Sequence, residues 1–107
     1  MLKIGICDDD QLIQKQIGNL ISNYFYNKQY KFDLYFYSTG MDLLNACNTI
    51  DFSFIFLDID LGKENGVEVA KSIRKIQNSP INIVFVTSYS EYQTKVFSIH
   101  TFDYLIK

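Results

Sequence analysis

The chain is expected to fold as an α/β domain, a doubly wound and mostly parallel sheet with helices on both faces. Three observations carry that expectation. Short apolar runs alternate with segments whose apolar residues recur at helical spacing, the pattern of repeated βα units joined by right-handed crossovers. The runs are of strand length and rich in aromatic and branched residues, as in Phe54-Ile55-Phe56-Leu57, which suits a strand buried on both faces. The 107 residues, 48% of them hydrophobic, make one domain by length, with a real core and room for five strands and their helices.

The elements follow in order. Ile4-Gly5-Ile6-Cys7 is the first strand, closed by Asp8-Asp9-Asp10. A helix comes next, with Ile13, Ile17, Leu20, Ile21, Tyr24 and Phe25 at the spacings of one face. The second strand runs from Phe32 to Tyr37. Ser38-Thr39-Gly40 then starts a short helix carrying Leu43, Leu44 and Cys47. Phe54 to Asp58 is the third strand. A loop from Gly62 to Gly66 leads to a helix with Val69, Ala70, Ile73 and Ile76, which stops near Asn78-Ser79-Pro80 because proline cannot continue it. Ile81 to Thr87 is the fourth strand, Ser90 to Ile99 the fourth helix and Phe102 to Ile106 the fifth strand. No repeat, linker or low-complexity tract interrupts the series.

Composition excludes several function classes. Ten basic and twelve acidic residues give a net charge of −2, without the basic stripe that nucleic-acid phosphates require, so no direct nucleic-acid binding is expected. Cys7 and Cys47 sit in apolar stretches with no second thiol or histidine close by to complete a metal site. Both read as buried thiols, which implies a reducing compartment. No segment is a signal peptide or approaches ~18 uninterrupted apolar residues, so no membrane span is expected and the location is read as cytoplasmic.

The chemistry gathers at one edge. In open α/β sheets the carboxyl ends of the strands carry the site, and here those ends bear Asp8 to Asp10, Asp58, Thr87 and Lys107. Clustered carboxylates repel one another unless a cation lies among them. Magnesium takes oxygen ligands, usually one or two carboxylates with water and phosphate oxygens. Asp9 and Asp58 are candidates for direct oxygens, Asp8 for holding a metal-bound water, and the backbone carbonyl of Asp60 for a further ligand. With the metal in place Asp58 is a candidate nucleophile toward phosphorus. Phosphoryl transfer mainly needs positioning and charge neutralisation, for which Thr87 and Lys107 are the available hydroxyl and ammonium.

The whole chain resembles the receiver domain of two-component response regulators, in particular the LytTR-class, Agr-like regulators of Gram-positive quorum sensing and virulence. The matching residues are Ile6-Cys7-Asp8-Asp9-Asp10, Leu57-Asp58-Ile59-Asp60-Leu61 with Asn65-Gly66, Val86-Thr87-Ser88, and Phe102-Asp103-Tyr104-Leu105-Ile106-Lys107. The resemblance implies a flavodoxin-like, five-stranded parallel sheet in the order 2-1-3-4-5. It makes Asp58 the phosphoacceptor, Asp8 and Asp9 the acidic pair, Thr87 the switch hydroxyl, Tyr104 the switch aromatic and Lys107 the phosphate-contacting lysine. It further implies Mg2+ as cofactor, a sensor histidine kinase as partner, and a DNA-binding output in the full-length protein. Residues 1–107 then form one receiver domain, short of the family's fifth helix and of an effector domain. With that helix missing, self-association through the face beside the first helix is expected.

Plainer structural roles exist for each residue. Asp10 suits a helix start, Thr87 an ordinary strand end, and Lys107 a solvated terminus. Phe102, Tyr104 and Ile106 alternate as a half-buried strand face would. Two other functions compete. A haloacid-dehalogenase-like phosphatase uses an aspartate pair spaced like Asp58 and Asp60, but carries it near its N-terminus and has no use for Asp8 and Asp9. A pseudo-receiver acting only as a protein-interaction module would lack phosphorylation altogether.

Overall fold

Side chains alternate across a strand, and along the central strands this alternation sorts the apolar residues into two layers. The computed structural model describes residues 1–76, 81–87 and 103–106, with Thr87 and 103–106 described by their backbone. The elements are β1 (Leu2–Cys7), α1 (Gln11–Asn27), β2 (Phe32–Tyr37), α2 (Gly40–Cys47), β3 (Phe54–Asp58), β4 (Asp60–Leu61), β5 (Glu64–Asn65), α3 (Gly66–Ile76), β6 (Asn82–Thr87) and β7 (Asp103–Ile106). Five strands form one sheet in the order β2-β1-β3-β6-β7, and every neighbouring pair is parallel. This is the expected doubly wound order. The expected fourth helix over Ser90 to Ile99 lies outside the described residues.

Cys7, Ile55, Leu57, Ile83 and Phe85 point to one side of the sheet, where Leu43 and Cys47 of α2 and Val69, Ala70 and Ile73 of α3 close over them. Ile4 and Ile6 point to the other side and meet Ile21, with Ile17 and Phe25 of α1 and Phe54 and Phe56 of β3 partly buried around them. Both cysteines are buried thiols. No described helix is long and apolar enough to cross a membrane.

Three expectations change. Leu20 is 72% exposed and Tyr24 is exposed too, so neither belongs to the buried face of α1, which is centred instead on Gln14, Gly18 and Ile21. Gly18 marks the contact with β2: a Cβ built there would stand 3.0 Å from Phe36 Cζ and 3.6 Å from Leu34 Cδ1. The helix lies against β2 at that point, and Leu20 and Tyr24 stay exposed. Ile76, at the end of α3, is also exposed. The loop expected after Asp58 contains a small antiparallel hairpin, with Asp60 paired to Asn65 and Leu61 to Glu64. Gly62 turns it with φ of 77°, a region glycine enters without steric cost.

This orientation of α1 has a direct test. Ile21→Ala should cost ~2–5 kcal/mol, the usual range for emptying a buried aliphatic site, whereas Leu20→Ala should stay within ~0.5 kcal/mol. Denaturant midpoints of the two variants check it, and similar losses would place both residues in the core.

Candidate functional site

Parallel pairing sets the site. Cys7, the last residue of β1, is paired with Leu57 of β3, so Asp8 emerges beside Asp58 at the carboxyl edge of the sheet. Asp8 and Asp58 are 0% and 3% exposed, while Asp9 is open to solvent. One carboxylate oxygen from each of Asp8, Asp9 and Asp58 lies within 4.8 Å of the others. Local turns aim these groups. The amide of Asp10 donates to Asp8 Oδ1 at 2.9 Å, and the amide of Asp60 to Asp58 Oδ1 at 3.2 Å. Such contacts two residues apart are what short acidic side chains form where a strand gives way to a turn.

Asp10 has a different task. Its Oδ1 accepts from the Leu12 amide at 2.9 Å and caps α1. The third aspartate of the cluster is thus committed to the helix, in line with the plain reading of it. Asp60 is exposed, and its Oδ1 accepts from the Gly62 amide at 3.2 Å. A Cβ built on Gly62 would stand 3.9 Å from Asp9 Oδ2, so the hairpin turn borders the cluster.

An all-oxygen donor set with two buried members and one open to water suits a hard divalent cation such as Mg2+, which keeps part of its hydration. Cys7 stands outside the cluster, packed in the core layer beneath α2 and α3. Burial, and after it the carboxylates of Glu64, Asp8 and Asp58, push its thiol well above the ordinary value, and its Sγ donates to the Thr39 carbonyl at 3.5 Å.

The remaining expected site residues are placed by backbone alone or lie beyond description. Thr87 is the last residue of β6, one step past Val86, the partner of Asp58. It therefore shares the edge with the carboxylates. Tyr104 is in β7 opposite Phe85, and Ile106 is opposite Thr87. Lys107 lies outside the described residues.

Two residues without an expected role support the cluster. The Glu64 carboxylate accepts from the amides of Gly40 at 2.8 Å and Met41 at 3.0 Å, at the start of α2. Its pairing spans 24 positions along the chain, so no local pattern announces it. Gly66 passes so close to β3 that a Cβ there would collide with the Asp58 carbonyl oxygen and stand 2.8 Å from Ile59 Cα. Its own amide donates to the Ile59 carbonyl at 2.6 Å.

The family profile described as "Response regulator receiver domain" matches residues 4–107. The sensory transduction protein LytT of Bacillus subtilis is 33% identical over 118 residues, covering 100% of this chain and 42% of its own length. Accessory gene regulator protein A of Staphylococcus epidermidis is 33% identical over 112 residues, covering 99% of this chain and 46% of its own. The chain therefore spans less than half the length of these relatives. Among solved structures, the response regulatory domain of protein mrkE from Klebsiella pneumoniae superimposes with a TM-score of 0.80 at 27% identity, over 99% of this chain and 83% of that one.

Gly66 and Gly18 separate two kinds of close approach. At Gly66 the obstacle is backbone, so Gly66→Ala is expected to displace the turn after Asp58 and to cost at least the ~1–3 kcal/mol typical of overpacking. At Gly18 the obstacle is the ring of Phe36, itself exposed and able to swing, so Gly18→Ala should be close to neutral. Thermal melts of the two variants check the ranking, and equal losses would mean that the turn yields as readily as the ring.

Proposed function

Because the chain belongs to the response regulator receiver domain family, we propose that it accepts a phosphoryl group on Asp58 from a sensor histidine kinase, with Mg2+ held by Asp8, Asp9, Asp58 and the backbone carbonyl of Asp60. The observation that carries this reading is the convergence of three carboxylates within 4.8 Å at the ends of two adjacent parallel strands. Bound magnesium would offset the negative charge shared by the carboxylates and the phosphoryl oxygens.

Asp58 acts as the nucleophile. One of its carboxylate oxygens bonds to phosphorus as the phosphorus–nitrogen bond of the kinase's phosphohistidine breaks, and that electron pair returns to the imidazole. The turn that holds Asp58 Oδ1 on the Asp60 amide fixes the direction of attack. Thr87 and Lys107 serve as hydroxyl and ammonium toward the phosphoryl oxygens, and Tyr104 as the aromatic that reports the modification. Small phosphate donors replace the kinase, and the aspartyl phosphate hydrolyses at the same site.

The full-length protein is read as a LytTR-class regulator whose DNA-binding output follows this domain, in keeping with relatives more than twice as long. A cytoplasmic location agrees with the buried thiols. Self-association beside α1 is supported by the exposure of Leu20 and Tyr24. The phosphatase alternative draws no support from Asp60, whose carboxylate is turned onto its own loop at Gly62.

Acetyl phosphate with magnesium should add one phosphoryl group to the intact protein and none to Asp58→Ala, as read by intact-mass analysis. A gain on both would move the acceptor elsewhere. Magnesium should also raise the melting temperature, because a ligand bound only by the folded state adds RT ln(1 + [L]/Kd) to stability. Asp9→Asn should abolish most of that rise and Asp10→Asn little of it, since Asp10 is committed to the helix cap. No rise in the unaltered protein at millimolar magnesium would favour the pseudo-receiver.

A further inference from the structure

Among the described residues, three polar or charged side chains are buried: Asp8, Asp58 and Gln14. The first two belong to the acidic site. Gln14 lies one turn into α1, 7% exposed, on a stripe otherwise given to packing. Its Nε2 is 2.6 Å from the Asp8 carbonyl oxygen, 3.1 Å from the Tyr37 carbonyl oxygen and 3.1 Å from Ser38 Oγ. Two of these neighbours are carbonyls, which only accept, so the nitrogen and not the oxygen of the amide must face them.

The contact with Asp8 is one of a pair. The Asp8 amide donates to the same Tyr37 carbonyl at 3.1 Å. The backbone of Asp8 is therefore gripped on both sides, its N–H by β2 and its C=O by α1. That carbonyl belongs to the peptide unit joining Asp8 to Asp9, and rotation of this unit would carry the two carboxylates apart. The cap at Asp10 anchors α1 on the next residue but holds only the helix start.

We propose that Gln14 is a positioning residue for the acidic pair: its buried amide fixes the Asp8–Asp9 peptide and so sets the spacing at which the carboxylates of Asp8 and Asp9 meet that of Asp58. The inference rests on the metal reading of the site for its main consequence, cation affinity. Groups that orient ligands in this way typically govern metal affinity by ~10–100-fold.

Gln14→Met keeps the length of the side chain and removes both donors. Magnesium titrated calorimetrically into this variant should show affinity about tenfold weaker than in the unaltered protein, and the Asp9 amide resonance of the metal-free protein should move. Gln14→Asn keeps the amide one methylene short and should fall between the two. Should Gln14→Met fail to fold, Gln14→Asn carries the same comparison. A lowered melting temperature with unchanged magnesium affinity and an unmoved Asp9 resonance would overturn the proposal, leaving Gln14 a packing residue. If the unaltered protein binds no magnesium, the metal reading fails separately. The Asp9 resonance then decides on Gln14 alone, and its constancy in Gln14→Met refutes the positioning role.

Discussion

Like charges are being held together at the edge of this sheet, and much of the surrounding structure answers to that constraint. Two carboxylates that are almost fully buried and a third open to water, all within 4.8 Å, repel one another in a medium less polar than bulk water. Left to themselves they would rotate away from one another. Backbone holds them in place instead. The strands beneath are parallel and in fixed register, so the ends of β1 and β3 cannot slip relative to each other without turning every core side chain to the wrong face.

The restraint is layered. Nearest the charges, amides two residues downstream hold one oxygen of Asp8 and one of Asp58. Behind them, Gly66 lets α3 begin directly against the Asp58 carbonyl, and the Asn65 side chain caps that helix through the Val67 amide at 2.8 Å. Asn65 and Gly66 thus work as a pair, one supplying an oxygen to the helix start and the other supplying the absence of a side chain.

Much of this was legible in the sequence. Runs such as Phe32 to Tyr37 and Phe54 to Asp58 have the aromatic and branched composition of strands, and the structure returns them with the same bounds. The acidic groups could be placed because they end such runs. What escaped was anything decided by contact between distant segments. The helical period of α1 is plain, but periodicity specifies the width of an apolar stripe and not its centre. The centre falls on Gln14, Gly18 and Ile21, which leaves Leu20 and Tyr24 outside. Glu64 was illegible for a related reason, since its partners lie on another element. The hairpin of β4 and β5 is too short for any alternating pattern to register.

Glu64 has a mechanical consequence. Its carboxylate takes two amide protons at the start of α2, where the helix dipole favours negative charge, and hydrogen bonds to a charged group are worth ~1.5–3 kcal/mol each. The hairpin that follows Asp58 and the start of α2 are thereby fastened into one rigid piece, although they belong to different crossovers. A displacement that begins in the turn beside the acidic cluster cannot stay there. It is shared with the start of α2, through the Glu64 carboxylate and through the packing of α2 against α3.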